Sequence, residues 1–100
     1  MDAKEFFETL EARVDPSRVV GISNSYLFDI AGEGAWLVDV RDGKVTVTKG
    51  EQPADVTIRT SPETFTKIAD GKQNPATAYM TGKIKLEGDL GAAMKLQKFF

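Results

Sequence analysis

Five short stretches of this chain alternate apolar and polar residues with a period of two, and a sheet is the structure that uses such a pattern. Asn24, Tyr26, Phe28 and Ile30 alternate with Ser25, Leu27, Asp29 and Ala31. Trp36, Val38 and Val40 alternate with Leu37, Asp39 and Arg41. Val45 and Val47 sit among Lys44, Thr46 and Thr48; Val56 and Ile58 among Asp55, Thr57 and Arg59; Ile84 and Leu86 among Lys83, Lys85 and Glu87. Successive strand side chains point to opposite faces, so each stretch carries one apolar and one polar face. That combination predicts a mainly antiparallel sheet covered on one side. Asp42-Gly43, between two alternating runs, predicts a tight hairpin, and Gly32-Glu33-Gly34 a looser one.

The apolar face needs a covering layer, and the remaining segments supply helices for it. Phe6, Phe7, Leu10 and Val14 recur at three- and four-residue steps, which predicts a helix over Lys4–Val14 ended by Asp15-Pro16. Ser61-Pro62-Glu63 reads as a helix start, with Phe65, Ile68 and Ala69 facing inward and Gly71 as the stop. Asn74-Pro75 opens a shorter helix that stops at Gly82 after Tyr79-Met80. Asp89 caps a last helix whose expected inner face is Leu90, Ala93, Met94 and Gln97. The predicted class is α+β: a five-stranded, mainly antiparallel sheet with helices packed on one face, in one domain spanning residues 1–100.

Composition removes whole classes of chemistry. The chain has no His and no Cys, so a Ser-His-Asp triad, a cysteine nucleophile and a thiolate zinc site cannot be built. Thirteen basic against fifteen acidic residues, net −2, argue against a nucleic-acid partner, which selects concentrated positive charge. No apolar run approaches membrane-spanning length and no secretory leader is expected at the start. Neither a metal, a cofactor nor an enzymatic activity is expected.

Several motifs at fixed spacing identify a family. Ala54-Asp55-Val56-Thr57-Ile58 is followed by Gly71-Lys72, Asn74-Pro75 and Ala78-Tyr79-Met80. Gly82-Lys83-Ile84-Lys85-Leu86, Gly88-Asp89 and Ala93-Met94-Lys95-Leu96 complete the series. With Trp36-Leu37-Val38-Asp39-Val40 upstream, this resembles the sterol carrier protein type-2 domain. The resemblance implies a five-stranded sheet, helices on one face, and an apolar tunnel between them for sterols, fatty acids, acyl-CoA esters or phospholipids. It implies a carrier, or a domain appended to a lipid-metabolising enzyme. The chain lacks a Ser-Lys-Leu-type peroxisomal address at its end, which leaves the cytoplasm as the expected location.

The expected lipid-binding residues are Phe65, Ile68, Tyr79, Met80, Leu90 and Met94 on the helices, with Phe28, Trp36 and Leu86 as the sheet-side wall. Methionine is flexible and polarisable, which suits a space that reshapes around its guest. The small residues Ala76, Ala78, Gly91, Ala92 and Ala93 leave room between the layers. The bland alternative is that these side chains simply fill the core. The last helix is expected to gate the pocket. The expected partner is a long-chain lipid or acyl-CoA ligand, with transient contact to a membrane surface as a further option. Phe99 and Phe100 read first as docking onto the first helix near Phe6 or Phe7, and otherwise as a lid or membrane-touching tip. The competing reading is a non-enzymatic interaction module with a filled core, dimerising through an edge strand such as Lys44–Lys49. Asp29, Asp39 and Asp42 read as a solvated sheet face and a hairpin turn. Lys72, Lys83 and Lys85 read first as a solvated face, since Lys83 and Lys85 alternate out from Ile84 and Leu86, with contact to anionic head groups or a CoA phosphate as the alternative.

Overall fold

In the computed structural model of the chain, residues 2–95 are described. The elements run α1 (Ala3–Arg13), β1 (Asn24–Ile30), β2 (Gly34–Arg41), β3 (Lys44–Lys49), β4 (Val56–Thr60), α2 (Pro62–Ala69), α3 (Pro75–Met80), β5 (Ile84–Gly88) and α4 (Leu90–Met94). A single 3-10 turn, Pro16–Arg18, follows α1. All five expected strands form, and all four expected helices.

The strands make one sheet in the order β3-β2-β1-β4-β5. Three neighbouring pairs are antiparallel, but β1 and β4 run parallel, with Tyr26 opposite Val56 and Phe28 opposite Ile58. The sheet is therefore mixed. Alternation within a strand says which residues share a face and nothing about which strand lies alongside. β1 and β3 run in the same direction, and residues 50–55 carry the chain across so that β4 enters beside β1 in that direction too. The hairpin turn has φ of 53° at Asp42 and 73° at Gly43, the left-handed pair that a twisted two-residue connection requires.

Side-chain caps start each helix. Asp2 accepts from the Glu5 N–H, Ser61 from Thr64, Asn74 from Ala76 and Thr77, and Asp89 from Ala92. Each cap satisfies N–H groups that have no partner inside the helix. Asp2 is a start signal that the sequence reading did not use, and the first helix accordingly begins at Ala3.

The helices divide the inner face of the sheet. Near α1, Phe7 stacks on Trp36 with ring centroids 4.9 Å apart and 14° between the planes. Phe7 also lies 5.3 Å from Phe65 and 5.2 Å from Phe28, so α1, α2 and the sheet share one aromatic cluster. Val19, Tyr26, Ile30, Val38, Val40 and Val56 are almost wholly buried around it. Toward β4 and β5 the covering elements are the short helices α3 and α4. The expected inner face of α4 is corrected here: Ala92 and Ala93 are buried, whereas Leu90 and Met94 are 52% and 73% exposed. A five-residue helix with alanines on its buried side lies close to the sheet, and its larger side chains project past the edge of that contact. Gln97, Phe99 and Phe100 lie outside the described residues.

Glycine is required at position 88. Its φ is +109°, and a Cβ built there would stand 2.2 Å from the Asp55 carbonyl oxygen. The next residue uses that closeness, because the Asp89 N–H donates to the same oxygen at 3.0 Å.

Candidate functional site

The β4–β5 half of the inner face is not filled. Between sheet and helices lies a cavity of about 380 Å³. Its floor is built from the inward residues of three strands: Phe28, Ile58, Thr60, Ile84 and Leu86. Period two puts these side chains on one face, and the register stacks Phe28 beside Ile58 and Ile58 beside Leu86. Phe65 and Ile68 of α2 close one side and are buried. Pro75, Ala76, Tyr79 and Met80 of α3 and Leu90, Ala93 and Met94 of α4 form the roof and rim. Met80 is 84% exposed and Tyr79 45%. The rim is thus apolar and exposed, while most of the floor is buried.

No charged side chain lines the cavity among the described residues. Among the described residues the one buried polar side chain in the lining is Thr60, whose hydroxyl donates to the Lys83 carbonyl at 2.9 Å. Tyr26 lies just beyond the lining, fully buried, and its hydroxyl donates to the Ala92 carbonyl at 2.8 Å. Burial, with the charges of Asp55 and Asp89 nearby, pushes the Tyr26 hydroxyl up to about 12.

Eight of the nine side chains expected at the site line this cavity: Phe28, Phe65, Ile68, Tyr79, Met80, Leu86, Leu90 and Met94. The ninth, Trp36, is elsewhere. It lies one strand further from the cavity than Phe28, its register partner, and packs on Phe7 beneath α1. The sequence reading did not include Ile58, Thr60, Ile84, Pro75, Ala76 or Ala93 in the site. For Ile58 and Thr60 the signal was present, since the alternation of β4 continues inward from Val56.

The acidic residues do not form a site. Asp29 pairs with Arg59 at 3.3 Å, and Arg59 also pairs with Glu87 across the outer face. Asp39 pairs with Arg41 at 3.0 Å, and Asp42 occupies the hairpin turn. The Asp55 carboxyl is held below its ordinary range chiefly by the Ser25 N–H and also by the Asn24 amide. Among the described residues no cluster of His, Cys, Asp or Glu could hold a metal ion. No described helix is long and apolar enough to cross a membrane.

Comparison with known proteins agrees with this architecture. The hydroxysteroid dehydrogenase-like protein 2 of Danio rerio is 37% identical over 98 residues, covering 94% of this chain and 24% of that protein. The chain therefore spans about a quarter of the curated relatives it first matches. The structure of the sec-alkylsulfatase Pisa1 from Pseudomonas sp. superposes with a TM-score of 0.80 at 31% identity, over 94% of this chain and 15% of the enzyme. Palmitated SCP2L2 from Aedes aegypti superposes with a TM-score of 0.75 at 28% identity, over 96% of this chain and 91% of that one. The same unit thus occurs as a small part of longer proteins and as nearly a whole short one. The family model for the SCP-2 sterol transfer family matches residues 4–100. An apolar cavity between a five-stranded sheet and short helices, together with that match, places this chain in the SCP-2 sterol transfer family.

Proposed function

We propose that the chain is a non-catalytic domain that binds and transfers lipid, taking a fatty acyl chain, an acyl-CoA ester or a sterol-like molecule into the cavity. The observation that carries this reading is the cavity itself. Its volume of about 380 Å³ falls within the ~300–1,000 Å³ of ligand sites. Its lining is apolar, with no charged side chain among the described residues. Each methylene moved from water into such a space contributes ~0.8 kcal/mol. A dozen of them contribute on the order of 10 kcal/mol, against an association cost on the order of 4–15 kcal/mol. The cavity opens at an exposed apolar rim, and a guest covers apolar lining that water would otherwise meet.

In this reading the eight expected side chains in the lining contact the lipid, and Trp36 acts only by holding Phe7 and the sheet in place. Residues 1–100 form one domain. Sequestration needs no bond-making, and any catalysis in longer relatives resides outside this unit. Met80, Met94, Leu90 and Tyr79 form the surface that touches a membrane when lipid is exchanged. The cytoplasm is the working compartment. Against the alternative, a dimer through β3, stands one contact: the Glu11 carboxylate accepts the Val47 N–H at 2.7 Å and so takes up one donor of that strand's free edge.

The deciding experiment is thermal unfolding with and without palmitate. A ligand that binds the native state alone stabilises it by ~2.7 kcal/mol at a hundredfold excess over Kd. No rise in Tm at saturating palmitate overturns the carrier reading, and a dimer in native mass spectrometry without lipid adduct supports the alternative.

A further inference from the structure

We propose that Lys83 is the head-group recognition residue for a single-chain anionic amphiphile that enters the cavity tail first. This rests on the carrier reading above. The argument begins with what the interior offers an ionised head. Thr60 has one hydroxyl proton, and it is given to the Lys83 carbonyl. Thr60 therefore presents only acceptor capacity to a guest. Tyr79, the other lining residue with a polar side-chain atom, is 45% exposed and belongs to the rim. A carboxylate or phosphate carried inward would lose its water and find no donor side chain among the buried described lining, an arrangement that is strongly disfavoured. The head must remain at the mouth.

The Lys83 backbone is fixed beside the cavity lining from two directions, though its side chain is not itself part of that lining. Its N–H donates to the Ala78 carbonyl at 2.8 Å, which ties it to the end of α3 beside Tyr79 and Met80. Its carbonyl accepts the Thr60 hydroxyl from the cavity floor, and the next residue, Ile84, lines the cavity. The Lys83 side chain is exposed, and among the described residues it has no ion-pair partner. Residues 71–86, flanked by Asp70 and Glu87, contain Lys72, Lys83 and Lys85 and no acid. Of the other two, Lys85 lies opposite Arg59 on the outer face of the sheet, and Lys72 sits in the turn after α2. The cavity volume sets the tail length. A methylene fills roughly the ~30 Å³ of one liquid water, so about 380 Å³ holds on the order of a dozen carbons.

The test is calorimetric titration of the full chain with alkanoates of increasing length, and with dodecanoate, dodecyl phosphate and dodecan-1-ol. Affinity should climb with chain length and flatten near ~12 carbons. Either anion should bind about two- to fivefold tighter than the alcohol, a margin that shrinks at high salt, as expected of an exposed charge pair. Lys83→Gln should abolish the margin for whichever anion shows it and leave dodecanol affinity unchanged, which also shows that the variant is folded. Lys83→Glu should reverse the margin, and Lys72→Gln should retain it. An intact margin in Lys83→Gln, or tighter alcohol binding in the wild type, overturns the assignment while the carrier reading stands. Failure of every probe to bind overturns the carrier reading instead.

Discussion

The Tyr26 hydroxyl, buried beneath the sheet's inner face, donates a 2.8 Å hydrogen bond to the Ala92 carbonyl of α4, sixty-six positions later in the chain. This bond ties the central strand to the helix that supplies Leu90, Ala93 and Met94 to the cavity. Replacing Tyr26 by Phe removes this bond while the Ala92 carbonyl keeps the Lys95 N–H as a donor, so the expected cost is ~1 kcal/mol. Urea denaturation should show a lower midpoint with an unchanged slope, because the surface exposed on unfolding is the same.

The same hydroxyl makes stability fall at alkaline pH. In the unfolded chain Tyr26 ionises near its ordinary value of 10.0, whereas burial in the fold holds its proton until about 12. Its folded pKa is raised, so its contribution is complete below pH 10.0 and is lost as pH rises through about 12. That difference corresponds to ~3 kcal/mol. Unfolding free energy measured across this window should decline more steeply in the wild type than in Tyr26→Phe. Parallel profiles would assign the decline to other groups.

At the rim, binding and folding can be separated. Met80 and Met94 are 84% and 73% exposed, so a polar replacement at either leaves little buried area unfilled. Met80→Asp and Met94→Asp should each keep Tm within a few degrees of wild type, as surface changes do. Each should also abolish binding of a fluorescent fatty acid, because a carboxylate at the mouth opposes an apolar chain. Unchanged binding in Met94→Asp would remove α4 from the ligand path.

Gly88→Ala should be costly. The added methyl would meet the Asp55 carbonyl oxygen, and alanine would be forced into a left-handed φ of +109°. The expected loss is ~2 kcal/mol or more, read as a drop in Tm of several degrees. Because the Asp89 N–H shares that oxygen, amide hydrogen exchange should accelerate at Asp89 and Ala92, at the start of α4.

Much of the fold was legible because its signals are local. Ser61-Pro62, Asn74-Pro75 and Asp89 cap helices whose first N–H groups need acceptors, and each does so in the structure. Asp42-Gly43 supplies the positive φ of a hairpin. The inward set Tyr26, Phe28 and Ile30 follows from the pleat alone. The candidate site was legible to the extent that its side chains lie on those same inward faces. Trp36 shows where that reasoning stops: it faces inward as predicted, yet α1 covers it, and it contributes to the aromatic cluster beside Phe7. Leu90 and Met94 show the same limit from the other direction. Helical spacing groups them with Ala93, but only the distance of α4 from the sheet puts the alanines in the core and the larger side chains on the rim.

The order of residues determined which segments become strands and helices, where they start, and which side of each is oily. Capping, turn chemistry and side-chain periodicity act over a few neighbours, so they are written in the chain itself. Tertiary structure alone decided that β4 joins β1 in parallel, that α1 covers one half of the sheet, and that two short helices leave the other half hollow. Those outcomes depend on how layers of unequal length meet across dozens of intervening residues, and no local pattern carries that distance.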